Sequence, residues 1–372
     1  MSRQTIPLGK IFGIPIGLDY SWFLIFALLT WTFAVSYYPT AFPHWTASAY
    51  WALGAITAVL LFVSVLLHEL GHATVARRYK IPVRSITLFV FGGVAQVGAE
   101  SPSAGAEFWI AIAGPVVSVA LAALFTALRS VATAVEPLLA LAQYLAYING
   151  TLAVFNLIPG FPLDGGRILR AIIWGTTRNL RRATLIAANV GRLIAFIFIG
   201  VGVVQIFAGN VSGGIWIAII GWFLESAAAS QVQQQMIQGL LAGHKVSEAM
   251  GTSFAVIPAA VTLQELVDEH ILASGRRSFI VKAAERVVGL LTLHRVKEVP
   301  RLEWQVTTAA QAMIPAERMK WVRPEVGLWA AIEEMDRDGV NQLPVMADRQ
   351  VVGMLTREDV LSYLRTLQEL RA

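Results

Sequence analysis

Six apolar stretches, each long enough to cross a bilayer, dominate the first 240 residues. They lie near 18–37, 50–76, 106–128, 138–158, 184–208 and 213–230. A hydrocarbon core about 30 Å thick takes roughly 20 helical residues to span. Backbone polar groups inside it must be satisfied within a helix or a closed barrel. The chain therefore reads as a multi-span α-helical membrane protein. Composition agrees, with 56% hydrophobic and 14% charged residues, against roughly 25% charged in an ordinary soluble domain. The first stretch has no small-residue cleavage site behind it, so it reads as a retained helix. There is no cysteine, which excludes disulfides and thiolate metal sites. Any metal must be held by His, Asp or Glu.

The charges give an orientation. Residues 1–240 carry 13 Lys+Arg and 7 Asp+Glu, whereas residues 241–372 carry 16 and 17. The basic excess thus belongs to the membrane half, and no basic patch calls for nucleic acid. Lys10, Arg77, Arg78, Lys80, Arg84, Arg167, Arg170, Arg178, Arg181 and Arg182 fall in alternate connections. The intervening loops hold few cations or none. The positive-inside rule then predicts six spans with both termini in the cytoplasm. Between the second and third spans, 84–98 is rich in Ile, Val, Phe and Thr around Gly92-Gly93. It predicts a membrane-associated β-hairpin or bent strand pair.

His68-Glu69-Leu70-Gly71-His72 sits at the end of the second apolar run. On a helix, residues i and i+4 share a face, so His68 and His72 can grip one ion. Glu69, turned roughly 100° from His68, stands beside that ion as a general base. The same string also occurs on solvated surface helices. Here, however, Ala52 to Leu67 carries no charge, and an ionisable cluster at membrane depth costs several kcal/mol unless it does work there.

Hydrolytic zinc takes three protein ligands and a water. Asp164, in Asn156-Leu-Ile-Pro-Gly-Phe-Pro-Leu-Asp164-Gly165-Gly166-Arg167, is the candidate third ligand. It could equally cap a helix starting near Gly166. Topology favours the ligand, because the second and fourth spans run the same way and bring both segments to similar depth. Gly160 and two prolines break the helix before Asp164. Irregular backbone at that depth belongs inside protein or beside a water-filled cavity.

At these motifs the chain resembles the site-2 protease family of intramembrane zinc metalloproteases, peptidase family M50. The resemblance covers 1–230 through His-Glu-Leu-Gly-His, Ala113-Gly114-Pro115 and the Asn-x-x-Pro-x-x-Pro-Leu-Asp-Gly element. It implies that His68, His72 and Asp164 bind one Zn2+ and that Glu69 activates water. It also implies that Asn156 positions the substrate or its oxyanion. The implied substrate is a single-span membrane protein, such as a membrane-anchored anti-sigma factor, cut in regulated intramembrane proteolysis. Three residues beyond Pro115, where the family often has Asn, stands Ser118, whose role the resemblance leaves open. The strand-like segment could pair with an extended substrate by β-addition or only plug the cavity.

From about residue 241 charges become frequent and an internal repeat appears. Ala249-Met250 recurs as Ala312-Met313, and Gly289-Leu-Leu-Thr292 as Gly353-Met-Leu-Thr356. These units resemble a tandem α/β pair of CBS domains on the cytoplasmic side. The domain reading is a protease domain over 1–230, a linker over 231–243, and repeats over 244–302 and 303–372. The resemblance implies an adenine nucleotide at Thr356 and Asp359, with Leu343 and Val345 lining the base pocket, and a homodimer through the pair. The first repeat has Thr292 but Arg295 in place of the aspartate. Two alternatives remain at this stage, a CBS-regulated membrane transporter and a zinc-binding scaffold without activity.

Overall fold

The computed structural model describes residues 5–90, 92–97, 101–284, 286–348 and 350–370. It divides into two compact units, Met1–Gln235 and Met236–Ala372.

The first unit begins with β1 (Thr5–Ile11) and β2 (Ile14–Asp19), an antiparallel hairpin turning at Phe12 and Gly13, both at positive φ. Next come α1 (Ser21–Thr32), a π turn and α2 (Tyr38–Ala41), then α3 (Ala47–Arg78). After α3 the chain forms β3 (Val83–Phe89) and β4 (Gly92–Val97). The helices α4 (Ala104–Val131), α5 (Glu136–Asn156), α6 (Asp164–Thr177), α7 (Leu180–Phe207) and α8 (Val211–Leu241) follow. Among the described residues, six helical segments are long and apolar enough to cross a membrane: Ser21–Ala41, α3, α4, α5, α7 and α8. At most 33% of the most apolar stretch of each is buried, and their outward rows expose Leu, Val, Phe and Trp.

Residues 84–98 belong to more than the hairpin expected. The part within the described residues joins a four-stranded sheet in the order β1-β2-β3-β4, with β2 and β3 parallel. The period-2 burial of β2 explains the extra strands. Ile14, Ile16 and Leu18 point inward while Pro15 and Gly17 do not, as a half-buried strand requires. Ile14, Ile16 and Ile86 pack on Leu70 and Ala73 of α3, and Leu18 and Leu88 pack on Ile25 and Phe62. The sheet therefore lies along the stretch of α3 that carries His68, Glu69 and His72.

Small residues bring α3 and α4 together. A Cβ on Gly71 would sit 3.0 Å from the Ala113 carbonyl oxygen, so that close approach needs glycine. Residues 231–241, read above as linker, are the last turns of α8.

The second unit contains α9 (Val246–Ala249), β5 (Ala255–Pro258), α10 (Leu263–Glu265), α11 (Leu272–Ser274), β6 (Ser278–Ala283), β7 (Arg286–Thr292) and α12 (Leu293–Glu298). It continues through α13 (Ala309–Ala312), β8 (Ile314–Pro315), α14 (Leu328–Asp338), β9 (Gln342–Ala347), β10 (Gln350–Thr356) and α15 (Arg357–Glu369). The strands form a β5-β6-β7-β8 sheet and a β9-β10 hairpin. Each has its own apolar core, around Ile257, Phe279 and Leu291 in one case and Leu328, Leu343 and Leu355 in the other.

Candidate metal centre

His68 and His72 lie one turn apart on α3, and Asp164 opens α6. Their ligand atoms form a nearly equilateral triangle. His68 Nε2 and His72 Nε2 are 3.2 Å apart, and each is 3.1 Å from Asp164 Oδ2. Tetrahedral zinc with bonds of about 2.0–2.1 Å separates its ligands by roughly 3.3 Å, so three atoms at this spacing suit one ion. They are the one group of three or more such side chains, among the described residues, gathered closely enough to hold a metal.

The other ring nitrogens are tied down. His72 Nδ1–H donates to the Ile110 carbonyl at 2.7 Å, and His68 Nδ1 meets the Ser118 hydroxyl at 2.8 Å. A carbonyl only accepts, so the His72 proton sits on Nδ1 and its Nε2 lone pair faces the triangle. Such outward hydrogen bonds fix the tautomer and orientation of metal-binding histidines.

A space is kept open beside the triangle. A Cβ on Gly114 would lie 2.2 Å from His72 Nε2 and 2.6 Å from His68 Nε2. Glycine at 114 thus leaves a cradle that any side chain would fill. On the other side, a Cβ on Gly93 of β4 would come within 2.6 Å of Glu69 Cγ. The edge strand therefore lies directly against the proposed base.

Asp164 does not act as a helix cap. The N-cap is Leu163, with no side-chain cap bond, and α6 starts at Asp164 itself, two residues before the expected Gly166. The carboxylate goes to the histidines instead. Gly165 and Gly166 allow the 157–163 turn to fold back onto α6, since a Cβ on either would fall 2.3 Å from backbone atoms of that turn. A buried ion cluster then holds α6 to α4. Glu107, fully buried, accepts from Arg167 Nε at 3.0 Å and also from Arg170 and Ser101.

Asn156 ends α5 and donates to the Leu152 carbonyl at 3.0 Å. No hydrogen bond brings it to the triangle. Sequence reasoning passed over Glu107, Gly114 as a cradle, and Asn149. Asn149 is buried in α5 and donates to the Ser64 hydroxyl at 3.1 Å.

In the second unit Thr356 and Asp359 cap α15 together. Thr356 N–H donates to Asp359 Oδ2 at 2.9 Å, and Asp359 N–H donates to Thr356 Oγ1 at 3.1 Å. Leu343 and Val345, expected to line a base pocket, are instead sealed in the second repeat's core. Their strand packs that face on Leu328, Ala331 and Leu355.

Comparison with known proteins now bears on this geometry. The model of peptidase family M50 matches residues 56–135 and 129–198, which include all three triangle residues. Zinc metalloprotease MJ0392 of Methanocaldococcus jannaschii is 31% identical over 266 residues, 72% of each chain. This chain belongs to peptidase family M50. Rip3 of Mycobacterium tuberculosis is 36% identical to this M50 peptidase over 365 residues, 96% of this chain and 92% of the other. A solved site-2 protease from Methanocaldococcus jannaschii shares 32% identity, covering 61% of this chain and 95% of that one, at a TM-score of 0.43. The CBS domain model matches residues 311–366, within the second repeat. The M50 peptidase is thus a multi-span membrane zinc metalloprotease with a C-terminal CBS domain. Membership favours hydrolysis over the transport reading.

Proposed function

We propose that the protein is an intramembrane zinc endopeptidase that cuts a peptide bond in or near a transmembrane helix of a membrane-anchored regulatory protein, such as an anti-sigma factor. The observation that carries this reading is the triangle of His68 and His72 on α3 with Asp164 at the start of α6, with Glu69 beside it on α3. His68, His72 and Asp164 hold the ion, and Gly114 keeps its cradle open. Zinc bound there supplies a Lewis acid and a water made acidic near neutral pH. Glu69 takes a proton from the attacking water and passes it to the departing amine nitrogen. Asn156 steadies the substrate, and an unwound substrate segment adds to β4 as a further strand.

In this reading residues 1–230 form the protease domain, α8 runs on to Leu241 in place of the expected linker, and 244–302 and 303–372 form two CBS repeats. Both termini and the repeats face the cytoplasm, following the positive-inside rule, and the repeats pair two copies of the chain. Nucleotide control at Thr356 and Asp359 has weaker support, because these side chains already cap α15. Binding titration with ATP, ADP and AMP tests it. No affinity in the millimolar range ends the idea.

Metal analysis of the full chain tests the ligand set. Wild type is expected to hold one zinc, and His68→Ala and Asp164→Ala to lose it. Full retention in Asp164→Ala would remove that residue from the site.

A further inference from the structure

The end of α3 lies outside the protease centre and meets the β1-β2 hairpin. At 32 residues α3 is about 48 Å long, well beyond a hydrocarbon core of about 30 Å. Its last turn carries Arg77 and Arg78, cations that belong at the headgroup layer and not in the hydrocarbon. There the chain turns back through Lys80, a non-glycine residue at φ 60°. The turn is closed by Lys80 N–H to the Arg77 carbonyl at 3.0 Å and Ile81 N–H to the Ala76 carbonyl at 3.1 Å. The Arg77 guanidinium donates to the carbonyl of Phe12, at the tip of the β1-β2 hairpin. Between hairpin and helix end lies a cleft of about 320 Å³ lined by Gly13, Arg77, Lys80, Ile81 and Pro82.

Two further facts define what this cleft suits. Lys10, Arg77, Arg78, Lys80 and Arg84 form no ion pair among the described residues. The same hairpin exposes Leu8 (57%), Ile11 and Phe12 (71%). Unpaired cations alone would suit any soluble anion. Cations beside an exposed apolar collar, at the depth where a span leaves the bilayer, suit an anion that carries acyl chains.

We propose that this cleft binds the phosphate headgroup of an anionic phospholipid, between Arg77 and Lys80, with Leu8, Ile11 and Phe12 set among the acyl chains. The lipid ties the hairpin to the end of α3. Because β2 pairs with β3, and β3 with the strand over Glu69, the bound lipid also steadies the edge strand at the protease centre.

Native mass spectrometry of the full chain, released from neutral detergent with equal phosphatidylglycerol and phosphatidylcholine, reads this directly. Wild type is expected to retain phosphatidylglycerol roughly thirtyfold over phosphatidylcholine, the scale of two surface cations. Lys80→Asn, which tolerates the left-handed backbone, combined with Arg77→Gln is expected to abolish the preference. The charge-keeping pair Arg77→Lys with Lys80→Arg should preserve most of it, and Arg178→Gln with Arg182→Gln all of it. Equal retention of the two lipids by wild type, or an unchanged preference in the charge-removing pair, would overturn the proposal. So would displacement of the lipid by millimolar inorganic phosphate, which would make the cleft a site for a soluble anion.

Discussion

The Ser118 hydroxyl lies 2.8 Å from Nδ1 of His68, with both side chains buried. It occupies the place where the resemblance led us to look for asparagine. A hydroxyl can accept the Nδ1 proton and so hold the Nε2 lone pair toward Asp164. Removing such a support typically weakens metal binding 10–100-fold. Ser118→Ala is therefore expected to lower zinc affinity by about that factor, measured by chelator competition. Ser118→Asn, whose side-chain oxygen can also accept, should restore most of it.

Gly114→Ala separates stability from metal binding. Alanine favours a helix interior by about 0.5–1 kcal/mol over glycine. The added methyl, however, would fall 2.2 Å from His72 Nε2. The variant should assemble in the membrane as wild type does and fail to hold zinc. Metal content against thermal stability, measured on one preparation, reads both effects.

Glu107 joins two arginines of α6 to α4 in a buried cluster. Removing one partner of a buried ion pair costs about 3–5 kcal/mol. Glu107→Ala should lower the stability of the full chain by about 3 kcal/mol and weaken zinc binding, because Asp164 rides on the same helix. Glu107→Gln, which can still accept from Arg167, should do less of both. Thermal unfolding with and without added zinc checks the pair.

The second unit carries a pH-dependent element. The His244 imidazole, then the Lys245 amide and the Tyr363 hydroxyl, bond the Glu248 carboxylate and hold its pKa down to about 2. Desolvation first, and then the bond to Glu248, push the Tyr363 hydroxyl up to about 12. A carboxyl depressed in the folded state contributes stability that is present above its ordinary value near 4.5. That contribution is lost as pH falls through the folded value. Hydrogen-exchange protection around residues 244–248, relative to the intrinsic rate at each pH, should fall between about pH 4.5 and pH 2, and Glu248→Gln should flatten the dependence.

The spans and the two histidines were legible because both are local signals, a long apolar run and an i, i+4 spacing. Asp164 was legible only as a choice between cap and ligand. The structure places its carboxylate 3.1 Å from both histidine nitrogens. Gly114 and Ser118 act on the histidines, and Glu107 on the arginines of α6, across 42 to 63 residues of chain. No window of sequence contains that relationship. The β1-β2 hairpin carried its alternation at Ile14, Ile16 and Leu18, but it sits beside a span whose hydrophobicity dominates the reading. Leu343 and Val345 were expected at a pocket on resemblance alone, and the same apolar character serves a sealed core.

Cleavage by Glu69→Gln tests the central claim most directly. The full chain, reconstituted with a single-span substrate and shown to hold one zinc, is expected to cut it. Glu69→Gln should retain the zinc and lose cleavage by about 10²–10⁴-fold, the range of a general base. Equal cleavage by the zinc-loaded variant would contradict the account.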